Sequence, residues 1–449
     1  MGKFFSRREF IRIGAGTVAA GAAARMTLLE PLSAFGAMPP SDVVRFASIG
    51  TGVRGCELLR GTLSVPGTEC VAIADLYDGR HTAGREALGK EVPVTRDYRR
   101  VLDRKEVDAV IIAATDHQHR RLVVDACAAG KDVYCEKPMS HNVEDGYAMV
   151  AAAQKGNRIL QAGSQRVSSV LYRKAKEIHD SGKLGDIYAI DAHWDRNSAS
   201  GAWVYPVPPD ATEQSIDWNG FLGDAPKRPF EPVRFFRWRC YKDYGEGLAG
   251  DLFVHLVSGI HFITGTNEVA RKAQSSGGLY RFKDGREFPD LIQSLYEYPK
   301  FQVSLRCNLN NETGEFIAFY GTKGTLVIKD ATLTFTPQDT RPQPEGYSVI
   351  GWPAESRNKY LAQWAAEHPG TAPLVGSVDS QSEGYATPPH YSDTVDHLAN
   401  FFNSVRTRKA PVEDGVFGNN AAIACHLANY SYFNDTVAKW DAEAKKIKG

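Results

Sequence analysis

The sequence predicts an α/β fold, a doubly wound parallel sheet with helices on both faces, across residues 42–163. Three observations carry that prediction. Apolar strand patterns alternate with helical patterns at the spacing of βαβ units. A G-x-G-x-x-G run sits between the first strand and the first helix. Motifs rich in polar, chemistry-bearing side chains fall where successive strands should end, and ligands bind at such carboxyl ends.

The elements follow in order. "VVRFASI" reads as a buried strand entering Gly50-Thr51-Gly52-Val53-Arg54-Gly55, and "CELLRGTL" continues as a helix. In this pattern one glycine allows the tight turn, one lets the backbone approach pyrophosphate, and one lets helix pack on strand. The helix N-terminus offers N–H donors to phosphate. "ECVAIAD" is the second strand and ends in Asp75, placed to bind ribose hydroxyls. Leu76 rather than a basic residue follows it, which favours NAD; Arg54 and Arg80 keep NADP open as the alternative. "DAVIIAA", "KDVYCEKP" and "RILQAG" are further strands, separated by the helices "HRRLVVDACAAG" and "VEDGYAMVAAAQKG". The strand ends "GTG", "AATDHQH" and "CEKP" therefore converge on one crevice.

Composition bounds the partners. The 449 residues carry 53 Lys+Arg against 53 Asp+Glu, a net charge of zero, so no field points to nucleic acid or an anionic membrane. Beyond the N-terminal segment no apolar run is long enough to span a bilayer. Seven cysteines occur without a C-x-x-C pair and read as small packing residues rather than a disulfide framework.

Residues 1–36 read as targeting sequence. "SRREFIR" resembles a twin-arginine translocation signal, which implies the translocation machinery as a partner and a periplasmic or otherwise exported location. Ala22-Ala23-Ala24 and Ala34-Phe35-Gly36 both fit a small-residue cleavage rule.

In the second half, "GDLFVHLVSGIHFITG" reads as a helix from near Asp251 to Gly265. Asp251 and His255 are spaced i, i+4 and share a face. A histidine there suits removal of a hydroxyl proton, with the carboxylate orienting it. Trp194, Trp203, Trp218 and Trp238 could offer faces to sugar C–H groups, with Arg166, Arg196, Arg239 and Tyr244 bonding hydroxyls. His117 and His119 form an H-x-H pair with no third ligand at a metal-site spacing, so no metal is expected. Residues 337–389 read as a polar, Pro/Ser-rich insertion with one helical piece, "SRNKYLAQWAAEH".

Taken in order, "GTGVRG", "TDHQH", "AGKDVYCEKP", "GSQR", "GDLFVHLVSGIH", "YGTKGTLVIK" and the tail from "FFNSVRTRKAPVEDG" resemble the Gfo/Idh/MocA oxidoreductase family over residues 43–441. The resemblance implies an N-terminal Rossmann NAD(P)-binding domain. It also implies a C-terminal α+β domain, residues 164–441, with a large, mostly antiparallel open sheet that makes a homo-oligomer. It implies catalytic roles for Lys137, Asp251 and His255, a place for Glu136 at the nicotinamide end, and one for His119 at the cofactor crevice or its edge. The chain departs from the family at Glu246, where a triple glycine is common, and at Ser258, where many relatives carry an acid. The function expected is oxidation of a sugar or cyclitol hydroxyl. The alternatives are redox-assisted glycoside cleavage and nucleotide-dependent binding without catalysis. An exported chain has no NAD(H) pool, so its cofactor is expected to stay bound and be regenerated within each cycle.

Overall fold

The computed structural model describes residues 26–30, 43–338, 342–369 and 382–449. "SRREFIR" and both candidate cleavage sites lie outside the described residues.

The parallel sheet forms as its apolar pattern predicts. Its six strands run in the order Val94–Thr95, Thr68–Ala74, Val44–Ile49, Ala109–Ile112, Asp132–Cys135 and Leu160–Ala162. Every neighbouring pair is parallel. The four residues Ala109–Ile112 are wholly buried, as a strand covered on both faces must be. Register then does something local pattern cannot: Ile49 lies opposite both Ala74 and Ile112, Ile112 opposite Cys135, and Cys135 opposite Ala162. Five strands end level, so Gly50, Asp75, Ala113, Glu136 and Gly163 emerge along one edge.

Among the described residues the second sheet has eleven strands. Two neighbouring pairs are parallel, Ile187–Asp195 with Gln302–Asn308 and Met26–Leu28 with Glu383–Ala386; the other pairs are antiparallel. The helices Val170–Asp180, Val254–Thr264 and Gly415–Asn434 share one apolar core with it. Two expectations change here. Met26–Leu28 fall inside the stretch assigned to targeting, yet they pair along the open edge of Glu383–Ala386, whose unpaired backbone groups invite another strand. The helix Asp393–Thr407, assigned by sequence to the second domain, completes the first domain's core. Its Leu398, Phe401 and Phe402 pack with Phe46, Leu58 and Leu59, and the Phe46 and Phe402 rings lie 5.3 Å apart. Among the described residues of the insertion, the expected helix forms as Ala354–Glu367, and Glu383–Ala386 adds a strand that was not expected.

Glu413 ties the two halves together. Its carbonyl accepts from Ala162 N at 3.0 Å, and its Oε1 accepts from Ser258 Oγ at 2.9 Å. The carboxylate missing from position 258 thus reaches the same place from another element. Burial pushes the Glu413 carboxyl up to about 8 from 4.5, with hydrogen bonds from Ser258 and Ser164 opposing it. A folded pKa above the unfolded one gives stability that is full below 4.5 and lost as pH rises through about 8. Glu413→Gln should therefore gain melting temperature over wild type progressively between those limits, measured by thermal denaturation against pH. A pH-independent difference would contradict a neutral Glu413.

Candidate active site

The level edge of the parallel sheet and the second domain enclose a cavity of about 1020 Å³. Gly50 takes φ +90°, and a Cβ there would lie 2.5 Å from Ala113 O; one on Gly55 would lie 2.2 Å from Gly50 O. No side chain caps the helix Val53–Thr62 at Gly52, so its first N–H groups stay open towards the cavity. Thr51 and Val53 line the same loop. This cradle fits a dinucleotide pyrophosphate.

Asp75 lines the cavity and also braces the loop: its Oδ2 accepts from Thr51 N at 2.7 Å and its Oδ1 from Tyr77 N at 3.0 Å. Each oxygen retains a lone pair for a ribose hydroxyl. Arg80 stands 3.8 Å from Asp75, beside Gly52, with its guanidinium over Phe235. Arg54 turns the other way and donates from Nε to Glu136 Oε1 at 2.8 Å. Burial would lower the Arg54 pKa, but the Glu136 carboxylate outweighs it and the net shift is upward.

Lys137 and Asp251 bring the two domains into contact. Lys137 follows the strand Asp132–Cys135 and precedes Pro138 through a cis peptide bond. Asp251 lies in a π-helical turn, Ala249–Phe253, that leads into Val254–Thr264. Gly250 lets this turn approach: a Cβ there would sit 3.0 Å from Pro138 Cγ. Lys137 Nζ donates to Asp251 O at 2.7 Å and to Asp251 Oδ1 at 2.8 Å. Arg239 Nε donates to the same oxygen at 3.0 Å. Burial alone would raise the Asp251 pKa; Lys137, Arg239 and Arg196 reverse this and hold it far below the carboxylate range.

His255 lines the cavity beside Trp194, ring centroids 5.3 Å apart. The expected hydrogen bond from His255 to the Asp251 carboxylate is not formed. The i, i+4 spacing is present, but two hydrogen-bonded cations attract the carboxylate more strongly than a neutral imidazole. His255 Nδ1 is buried without a partner. Burial first, then Lys137 and Arg166, lower its pKa well below 6.5, while Asp251 raises it.

His119 does not line the cavity. It is wholly buried behind cavity-lining Ala114, with Nδ1 3.0 Å from Pro138 O and Nε2 3.3 Å from Ala114 O, and its one N–H donates to one of these carbonyls. Of the aromatic set, Trp194, Trp203 and Trp238 reach the cavity. Trp218 is spent on Arg228 O at 2.8 Å, and Tyr244 is fully buried in the core. Arg166, Arg196 and Arg239 all line the wall. Sequence reasoning missed Gln165, Tyr205, Phe235 and Phe236. They come from segments without periodicity, whose path no local signal fixes.

Residues 44–164 match the family described as "Oxidoreductase family, NAD-binding Rossmann fold", GFO_IDH_MocA. This part of the chain belongs to the Gfo/Idh/MocA oxidoreductases. The sequence is 37% identical over 145 residues to inositol 2-dehydrogenase 1 of Saccharopolyspora erythraea, covering 32% of this chain and 43% of that protein. It is 33% identical over 162 residues to inositol 2-dehydrogenase of Salmonella typhimurium, covering 36% and 48%. The chain thus spans less than half the length of these curated relatives. Across both domains the fold is similar to levoglucosan dehydrogenase in complex with NADH and levoglucosan, with TM-score 0.61, 16% identity, and 88% and 99% of the two chains covered. It is equally similar to aldose-aldose oxidoreductase from Caulobacter crescentus complexed with glycerol, at TM-score 0.61 and 16% identity, covering 88% and 99%.

A histidine held below 6.5 is neutral and able to accept a proton through neutrality. Histidine-resolved NMR should find the His255 midpoint below 6.5, and Lys137→Met should move it upward. A wild-type midpoint at or above 6.5 would refute the electrostatic assignment.

Proposed function

We propose that the chain is an NAD-dependent oxidoreductase acting on a hydroxyl of a sugar or cyclitol. One observation carries this reading: Lys137 and His255, from different domains, face the same cavity as the glycine loop. The dinucleotide, when bound, supplies the hydride acceptor at the nicotinamide. The protein's share is proton handling and charge. His255, neutral and facing the cavity, accepts the substrate hydroxyl proton. Lys137, fixed on Asp251, presents a cation to the oxygen as negative charge develops there. The ionised Asp251 favours the imidazolium that results. Trp194, Trp203 and Trp238 supply apolar faces for ring C–H groups.

The reading extends to an exported protein that keeps its cofactor and regenerates it within the cycle. Supporting it, a strap from residue 205 to 236 contributes to the cavity wall and is bolted to two strand-end loops. Tyr77 Oη donates to Asp210 at 2.6 Å, Asp78 N to Ser215 O at 3.0 Å, and Asp217 N to Leu76 O at 2.8 Å. On the other side Gln118 Nε2 donates to Phe221 O at 2.7 Å. All seven cysteines are buried and unpaired, which suits folding in a reducing compartment before export. A leader cut after Ala24 would leave the strand Met26–Leu28 on its sheet; a cut after Gly36 would remove it. The open sheet face, with exposed Leu295 and the stacked His193–Phe316 pair, suits coverage by a second copy.

Lys137→Ala and His255→Ala should each lower the rate of sugar oxidation by about 10²–10⁴. Unchanged rates would remove them from the chemistry. Protein purified from the exported fraction should hold its nicotinamide absorbance through dialysis, and Asp210→Ala should release it faster. Loss of the cofactor from wild type on simple dialysis would rule out the closed cycle.

A further inference from the structure

The cavity wall around His255 carries more cationic charge than its own carboxylates neutralise. Four cations line it: Lys137, Arg166, Arg196 and Arg239. The charge of Arg166 is matched by two carboxylates, with Nη2 2.6 Å from Glu315 Oε2 and Nη1 2.8 Å from Asp393 Oδ2. The other three share one carboxylate. Asp251 lies 2.8 Å from Lys137, 3.0 Å from Arg239 and 3.9 Å from Arg196. The first two distances are hydrogen bonds; the third is not. Asp116 is the remaining nearby acid, but it is deeply buried, accepts from Glu246 N at 3.1 Å, and is pushed towards its neutral form by burial.

Arg196 is therefore the cation left over. It follows the strand Ile187–Asp195 directly, and its backbone N is anchored to Asn308 O at 2.9 Å. Its guanidinium lies 5.0 Å from the Trp194 ring, the same indole that Arg166 covers at 5.2 Å and that packs against His255. This is a cation–π contact, and no side-chain hydrogen bond engages the guanidinium among the described residues. A sugar hydroxyl could accept one bond from it but would leave the charge uncompensated. A carboxylate matches the planar fork with two bonds and the missing charge.

We propose that the substrate is a sugar acid, with its carboxylate held by Arg196 at the rim of the Lys137–Asp251–Arg239 cluster. This rests on the oxidoreductase reading of the same cavity. The cofactor-containing protein should be titrated by calorimetry with D-glucuronate, D-gluconate, D-glucose and myo-inositol, and turnover of each followed by nicotinamide absorbance. The acids should be favoured over the neutral compounds by about 10- to 100-fold in Kd and kcat/KM, as for hydrogen bonds to a charged group. High salt should shrink the advantage. Arg196→Gln should abolish it, and Arg196→Lys should restore part of it. Neutral sugars or inositol that bind and react as well as the acids would overturn the proposal while leaving the oxidoreductase reading intact. Acids that bind through Arg196 but are never oxidised would uphold the anion site and remove the redox reading. An acid preference that survives in Arg196→Gln, or no binding of any acid, would also overturn it.

Discussion

The contact between Lys137 and Asp251 is the constraint on which the site depends. Each residue alone would be costly to bury as an ion, and the pair is tolerable because both are satisfied by further bonds. Lys137 Nζ also donates to the Asp251 carbonyl, and the carboxylate also accepts from Arg239. The interaction spans the two domains. One partner comes from the level edge of the parallel sheet, the other from a π turn brought close by Gly250. The same pair fixes the domain approach, the position of the ammonium beside the cavity, and the field felt by His255. Removing either member would leave the other as an uncompensated buried charge, so substitutions here act on folding and chemistry together.

The first domain was legible in the sequence because its signals are local. A glycine that must take φ +90° beside a carbonyl, and a strand with no polar face, can be recognised from neighbours in the chain. The helix Asp393–Thr407 was not legible as part of that domain. Its apolar stripe announces that it packs, but not on what, and it is Phe46 and Leu58 that it covers. His119 illustrates the same limit. Its position in "TDHQH" put it at a strand end, yet a step of the short turn Asp116–Gln118 sends the ring inward to two carbonyls. The second sheet was expected through resemblance rather than periodicity, and its register follows from long-range pairing that spacing does not encode.

Asp251 shows how a correct spacing need not produce the hydrogen bond expected of it. The i, i+4 relation to His255 is real, but a hydrogen-bond acceptor goes to the strongest donors within reach. Here those are an ammonium and a guanidinium. The carboxylate therefore acts on His255 through its field, raising a pKa that burial and the cations lower. The imidazole is left neutral with an unpartnered Nδ1, a state that orients less firmly than a direct carboxylate bond would. Orientation must come from packing instead, and Trp194 is the ring placed to provide it.

The strap and the cation surplus shape the same cavity. The strap is tied at Tyr77–Asp210 and at Gln118–Phe221, and other residues of the second domain supply the wall around His255. The charge on that wall is set by residues that ordinary folding would pair off, as Arg166 is paired with Glu315 and Asp393. Arg196 could have been neutralised in the same way by one acidic neighbour. That it is instead in cation–π contact with Trp194 places an unanswered charge one ring away from the proton acceptor. Arg196 is part-exposed, so a ligand entering the pocket must replace its hydration, and an anion does so with charge as well as hydrogen bonds.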